Sequence, residues 1–228
     1  MTWDAVIFDL DGTIVDSAAG ILGSLHDTMR DLGLPDRGDE ELRYFIGPPI
    51  HDSFIELFGM TLQGAIAATG LYRSHYRDGG GILRFTAFPG VPELIRDLHA
   101  NGTTLALATS KPESSALIIL DRLGITDQFD AIAGASEDES ISEKAEIIAI
   151  ALERLDEVGK RPAHPVMVGD RVHDVEGSAA NDIPCIRVLW GFGDDSESAG
   201  TIAQVRTPEE LRRLLATGLD TQPPRLTA

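Results

Sequence analysis

Two aspartates stand in the segment Asp9-Leu10-Asp11-Gly12-Thr13, directly after the apolar run Ala5-Val6-Ile7-Phe8. Three further polar groups follow apolar or helical patterns downstream: Thr109-Ser110-Lys111, then Lys144, then Gly169-Asp170-Arg171 with Asp174 one helical turn later. If these residues converge, their carboxylates repel one another unless a hard cation shares the site, and Mg²⁺ is the simplest choice. The same set can hold a phosphoryl group, with Thr109 and Ser110 supplying hydroxyl and backbone N–H donors and Lys144 a cation. Asp9 could then attack phosphorus in line, giving an aspartyl-phosphate that water hydrolyses. Asp11, two residues further on, could protonate the leaving oxygen and later deprotonate water.

Convergence requires a scaffold that brings distant segments to one edge. Buried strands are expected at Asp4–Leu10, Thr104–Thr109, Ala131–Gly134, Val166–Gly169 and Cys185–Trp190, and each polar group but Lys144 follows one of them. Helical stripes separate the strands: Val91, Leu94, Ile95 and Leu98; Leu117, Leu120 and Leu123; Ala145, Ile148, Leu152 and Leu155, with Lys144 opening the last. A final helix is expected from Thr207-Pro208-Glu209-Glu210, which has the form of a capping box with proline at the first helical position. The alternation predicts an α/β fold, a doubly wound parallel sheet with a Rossmann-like core, whose ligands collect at the carboxyl ends of the strands. Between residues 17 and 85 strand signals give way to helical ones: Ile21, Leu25, Met29 and Leu32, then shorter segments near 40–46 and 50–58. The expected organisation is a core of residues 1–16 and 86–218, a small all-helical cap inserted as 17–85, and a frayed tail, 219–228. Asp78-Gly79-Gly80-Gly81 reads as a hinge and Phe88-Pro89-Gly90-Val91 as the re-entry turn.

Composition narrows the partners. Of 228 residues, 43% are hydrophobic and 25% charged, and 37 acidic against 19 basic residues give a formal charge of −18, which repels nucleic acid polymers and anionic membranes. No run approaches the ~18 apolar residues of a membrane span and the first residues lack a basic-then-apolar leader, so an unexported, cytoplasmic protein is expected. The single cysteine, Cys185, lies in an apolar run and reads as core. Only three of the 19 basic residues are lysines, and no heptad seam is visible, so a monomer is expected, with a dimer left open.

Asp9-Leu10-Asp11-Gly12-Thr13 with Val15-Asp16-Ser17 behind it, Thr109-Ser110-Lys111-Pro112, Lys144, and Gly169-Asp170-Arg171-Val172-His173-Asp174 together resemble the haloacid dehalogenase superfamily of phosphohydrolases over essentially the whole chain. The resemblance implies Asp9 as nucleophile and Asp11 as general acid and base. It also implies Mg²⁺ held by the Asp9 carboxylate, the Asp11 backbone carbonyl and Asp170, with Asp174 direct or through water, and phosphoryl binding by Thr109 and Lys144. The expected activity is hydrolysis of a small phosphomonoester, a phosphorylated metabolite. Ala133-Gly134-Ala135-Ser136, Trp190-Gly191-Phe192-Gly193 and Phe45-Ile46-Gly47-Pro48-Pro49 are similar to the phosphoglycolate phosphatase and 5′-nucleotidase-like branch. A sugar phosphomutase of the same superfamily and, from another class, a receiver-type phosphorylated signalling domain are the alternatives; the latter has an adjacent acidic pair and no cap.

Arg43, Tyr44, Phe45, Gly47 and Pro48 are the candidates for a substrate-facing cap loop, although helix packing explains the two aromatics nearly as well. Arg73 and Tyr76 could bind substrate, though an outer-face position is the better reading, and Lys111 reads as solvated or as a support behind the substrate-touching groups. His173 is a candidate to orient Asp174, and His26, His75, His99 and His164 lack metal-ligand spacing.

Overall fold

The computed structural model describes residues 3–138 and 140–218; the expected tail lies outside them. A six-stranded sheet is built from β1 (Ala5–Phe8), β4 (Thr104–Pro112), β5 (Ala131–Ala135), β6 (Pro165–Gly169), β7 (Cys185–Val188) and β8 (Ala203–Val205), in the spatial order β5-β4-β1-β6-β7-β8. All neighbouring pairs are parallel. β1 is central: Ala5 to Phe8 pair with Thr104 to Leu107 on one side and with Pro165 to Val168 on the other. Its alternate side chains feed two layers, Val6 and Phe8 one face and Ile7 the other, and all three are essentially inaccessible to water. A run of four apolar residues without polar alternation is what a strand covered on both faces requires.

Five of the six strands correspond to the expected runs. β4 continues past Thr109 to Pro112 with a register shift between these two residues, so Ser110 and Lys111 lie in an irregular strand end. β7 stops at Val188 rather than 190. β8 escaped the sequence reading because its three residues, Ala-Gln-Val, carry too little periodicity. The covering helices are α5 (Val91–Ala100), α6 (Glu113–Leu123), α7 (Lys144–Glu157), α8 (Val172–Ala179) and α9 (Pro208–Thr217). The α9 start holds half of the expected capping box: the Thr207 hydroxyl accepts from Glu210 N (3.1 Å), but the Glu210 carboxylate accepts from Arg206 N (2.7 Å), one residue earlier than that motif demands.

Residues 18–83 form helices and turns only: α1 (Ala18–Leu32), α2 (Asp39–Leu42) continuing into a 3₁₀ turn at Arg43–Phe45, α3 (Ile50–Phe58), α4 (Leu62–Arg77) and a 3₁₀ turn at Gly81–Leu83. A two-residue antiparallel ribbon, β2 (Val15–Asp16) with β3 (Thr86–Ala87), joins the entering and leaving chain at the base of this segment. The longest of these helices, α4, was not anticipated. Its sequence, LQGAIAATGLYRSHYR, buries small residues, Ala65 and Ala68, beside Tyr72 and Tyr76, so the apolar stripe is shallow even though the helix packs closely on α1.

The glycine cluster after α4, read from the sequence as a hinge, packs closely on α1. A Cβ on Gly20 of α1 would lie 2.2 Å from the Gly81 carbonyl oxygen, and one on Gly81 would lie 2.3 Å from the Ser24 hydroxyl. Backbone meets backbone here, so the missing side chains allow the close approach. Gly20→Ala is expected to destabilise the protein by about 1–3 kcal/mol by overpacking, read as a lowered urea midpoint at unchanged denaturant slope.

Candidate active site

Asp9 follows β1 and is held by its backbone N–H donating to the Val168 carbonyl (2.9 Å), which extends the β1–β6 ladder by one residue. Its carboxylate emerges where β1, β4 and β6 end. Lys144, the first residue of α7, reaches in from the neighbouring helix, and its Nζ donates to Asp9 Oδ1 (2.5 Å) and lies 2.8 Å from Asp174 Oδ1. Room for its stem is left by Gly177 on α8, where a Cβ would stand 2.9 Å from Lys144 Cγ. Asp174 is fixed from its other oxygen, since Oδ2 accepts from Arg171 N (3.0 Å) while Asp174 N donates to the Arg171 carbonyl (3.1 Å) at the start of α8. The expected role of His173 in orienting Asp174 is thus taken by the α8 cap and Lys144; the His173 Nδ1 is buried with no hydrogen-bond partner among the described residues.

Asp170 is fully buried at the end of β6. Its Oδ2 accepts from Phe192 N (2.6 Å) and Gly193 N (3.3 Å), and its Oδ1 accepts from Thr13 Oγ1 at the longer distance of 3.5 Å. Backbone packs directly on it: a Cβ on Gly12 or Gly191 would lie 2.2 or 2.3 Å from its Oδ2. The loop that supplies these donors is anchored by Arg187 in β7, which donates through Nε to the Asp170 carbonyl (2.9 Å), through Nη1 to Ser198 Oγ (3.0 Å) and through Nη2 to the Asp194 carbonyl (2.5 Å). Arg187 was missed by the sequence reading; the signal was a charged residue inside an otherwise apolar strand.

Asp9, Asp170 and Asp174, all three buried, each offer a carboxylate oxygen, and these oxygens lie within 4.8 Å of one another. Burial pushes the Asp9 carboxyl up to about 7; Lys144 pulls it back and Asp174 adds to the rise. Burial also holds Asp170 well above the usual carboxylate range, with Asp174 and Asp9 adding to it. For Lys144, burial disfavours the charge, but Asp174 and Asp9 more than offset that and its pKa rises. Three hard oxygen donors with a single ammonium among them fit a hard divalent cation in charge and ligand type.

Asp11 takes a different direction. Its carboxylate is outside this cluster: Oδ1 accepts from Ser17 Oγ (2.5 Å) and Oδ2 lies 3.0 Å from Lys111 Nζ. Lys111 is therefore not a solvated residue. It is buried, donates to the Tyr76 hydroxyl (3.0 Å) and sits 4.6 Å from the centre of that ring, which stacks on Tyr72 at 5.6 Å. Tyr76, expected on an outer face, is turned inward and buried because α4 presents Tyr72 and Tyr76, one turn apart, to the core. Thr109 is buried in the β4 end and its Oγ1 accepts from Lys111 N (3.2 Å), while Ser110 is half-buried beside it.

These groups line one cleft between the sheet edge and the helical segment, with an empty volume of about 900 Å³ counted out to its open mouth. Asp9, Asp11, Thr109, Ser110, Lys111, Lys144 and Asp174 are on its floor side, and Phe45, Gly47, Pro48, Tyr72, Arg73 and Tyr76 face them. Of the five expected loop residues, Arg43 and Tyr44 do not reach the cleft; both are exposed, and the Tyr44 hydroxyl donates to Glu56. Phe45 touches the cleft while packing edge-on against Phe54 at 5.0 Å. Two clasps tie the helical segment to the core: Arg171 donates to the Ile46 carbonyl, and Arg73 and Arg77 donate to Glu137.

Residues 6–188 match the family described as haloacid dehalogenase-like hydrolase. Tyrosine-protein kinase PtkA of Mycobacterium tuberculosis is 39% identical over 215 residues, 92% of this chain and 72% of that one. A 5′-nucleotidase of Pseudomonas aeruginosa is 36% identical over 192 residues, 84% of this chain and 85% of its own. Among solved structures, a predicted phosphatase from Clostridium acetobutylicum superposes with a TM-score of 0.87 at 33% identity, covering 95% of this chain and 99% of its own. The match over residues 6–188 and the superposition on a predicted phosphatase show that the chain belongs to the haloacid dehalogenase-like hydrolase family, as one of its phosphoric monoester hydrolases.

Proposed function

We propose that the cleft hydrolyses a small phosphomonoester, of the phosphoglycolate or 5′-nucleotide type, through a phosphorylated Asp9, with Mg²⁺ held by Asp9, Asp170 and Asp174 and by the Asp11 backbone carbonyl. The observation that carries this reading is the placement of two aspartates two residues apart in opposite settings: Asp9 against Lys144 among the clustered carboxylates, Asp11 turned toward the helical segment. When bound, the cation neutralises phosphoryl oxygens and the carboxylates that hold it.

Thr109, Ser110 and Lys144 orient the phosphoryl group so that an Asp9 oxygen faces phosphorus. The new bond joins that oxygen to phosphorus while the ester P–O bond breaks, and Asp11 gives its proton to the departing alkoxide. Asp11 then takes a proton from water, whose oxygen attacks phosphorus and breaks the Asp9–phosphate bond, returning the Asp9 carboxylate and free phosphate. Ser17 holds Asp11 in place for both transfers. The segment 17–85 acts as a cap that keeps bulk water from the phosphorylated Asp9 and limits the leaving group to small molecules. The relative named as a tyrosine kinase supports a second reading, in which a tyrosine hydroxyl rather than water accepts the phosphoryl group.

Phosphate release from an aryl phosphate is expected to require Mg²⁺, to stop with a chelator, to fall to background in Asp9→Asn and to drop about 10²–10⁴-fold in Asp11→Asn. Transfer of label to a tyrosine peptide without phosphate release would support the second reading. The raised carboxyls also predict a pH effect on the metal-free protein. Between the ordinary Asp value of 3.8 and about 7 the folded protein keeps a proton on Asp9 that the unfolded chain has lost, so stability falls as pH rises through that window. Thermal unfolding in chelator is expected to show a midpoint that declines from pH 5 to 8, and Mg²⁺ is expected to flatten the decline.

A further inference from the structure

Of the two clasps on the helical segment, one is set much deeper than the other. The Arg77–Glu137 pair joins side chains 40% and 51% exposed, whereas those of Arg171 and its partner Glu197 are each 12% exposed. Both oxygens of the Glu197 carboxylate are engaged. Its Oε1 accepts from Arg171 Nε (3.2 Å) and Asp194 N (3.2 Å), and its Oε2 from Arg171 Nε (3.1 Å) and Val172 N (2.6 Å). With Nε fixed in this way, Nη1 is aimed across to the helical segment, where it donates to the Ile46 carbonyl. The receiving loop is shaped to the guanidinium: Gly47 has φ +115°, and a Cβ there would stand 3.2 Å from Arg171 Nη1 and 3.3 Å from its Cγ.

The core end of this chain of contacts is also the end that holds the clustered carboxylates. Arg171 follows Asp170, its own N–H donates to Asp174 Oδ2 (3.0 Å), and Glu197 belongs to the loop whose Phe192 N and Gly193 N bind Asp170. The contacts of Glu197 are all within the core, so movement of the helical segment breaks only the Ile46 contact and leaves the arginine aimed at the place to which the loop returns. We propose that Arg171, aimed by Glu197, is a positioning residue that latches the loop of residues 46–48 over the carboxylate floor, so that the hold on the leaving group depends on it. This rests on the reading of segment 17–85 as a cap. Phe45, Gly47 and Pro48 face the floor across the cleft, so a released loop removes part of the leaving-group wall and leaves Thr109, Ser110 and Lys144 in place. A charged hydrogen bond of this kind favours the closed loop by about tenfold. Substrate that has to restore the closure from its own binding energy shows the loss in KM rather than in kcat.

Hydrogen exchange reads the latch without turnover. In the unliganded protein, Arg171→Met is expected to speed exchange of the backbone amides of residues 43–47 about tenfold while those of β1 keep their rates. Arg171→Lys, which cannot hold Glu197 and reach the carbonyl at once, is expected to give part of that effect. Glu197→Gln turns an amide N–H toward groups that are themselves donors and is expected to loosen the same loop; added to Arg171→Met it is expected to change the loop little further, because both act through one contact. With para-nitrophenyl phosphate and Mg²⁺, Arg171→Met is expected to raise KM about tenfold and to keep kcat within about threefold. Turnover of acetyl phosphate, whose small leaving group gives the cap little to enclose, is expected to suffer less. Arg171 also counters the charge of Asp170, so the Mg²⁺ requirement is measured alongside. Unchanged loop exchange would overturn the latch, and with a shifted Mg²⁺ requirement it would leave Arg171 as a charge beside Asp170. Faster exchange spread equally over the loop and β1 would overturn it as general loosening, and equal losses for the two substrates would overturn its link to the leaving group. Loop exchange that depends on Arg171 in a protein without Asp9-dependent turnover would support the latch and overturn the catalytic reading of Asp9 alone.

Discussion

Like charges forced together in a poorly solvated place set the terms for everything around them. Asp9, Asp170 and Asp174 bring carboxylate oxygens within 4.8 Å of one another under nearly complete burial, an arrangement that pure protein can hold only by supplying donors and positive charge. Each carboxylate is met differently. Asp170 receives two backbone N–H groups and the Thr13 hydroxyl, Asp174 receives a helix-cap N–H and Lys144, and among the described residues Asp9 receives Lys144 alone. The one met by the fewest donors, Asp9, stands at the end of the central strand, the position proposed above for the nucleophile. Arg187, the glycines packed on Asp170 and the space Gly177 leaves for Lys144 all follow from the need to hold those groups without error.

Much of this was legible because the catalytic segments are short, local and punctuated. A carboxylate immediately after a run of buried residues is anomalous wherever it occurs, so Asp9, Asp170 and the Thr109 turn stood out before any contact was known. The central strands were legible for the same reason: two covered faces demand continuous apolar runs. What was not legible depended on which way a residue turns. Lys111 and Tyr76 look like any solvated lysine and any amphipathic tyrosine until α4 is laid on α1, and α4 itself is masked by alanines and glycines that pack well yet score weakly. Arg43 and Tyr44 failed in the opposite sense, since a Gly-Pro-Pro neighbour fixes the loop but says nothing about which of its side chains faces inward.

The helical segment contributes more than cover. Its inward tyrosines and Phe45 make a low-polarity wall opposite a strongly charged floor, and the floor's charges act at greater strength because water is displaced. The segment is fastened at both flanks by arginines, one from the core to the Ile46 carbonyl and two from α4 to Glu137, contacts between partly exposed groups that can be remade at small cost.

The place of β1 in the sheet has a consequence for how the chain is made. Ala5 pairs with Thr104 and with Pro165, so both neighbours of β1 are made long after it, with the whole of residues 18–83 in between. Contacts of such long sequence separation are slow to form, and the intervening residues 18–83 meet mostly their own neighbours. During synthesis an apolar strand must therefore wait, unpaired on both edges, beside helices that can already fold. A chain halted before residue 165 would carry Asp9 on an edge strand without Asp170, Asp174 or their supporting loop, so folding couples the arrival of the later core strands to the first moment at which Asp9 is surrounded.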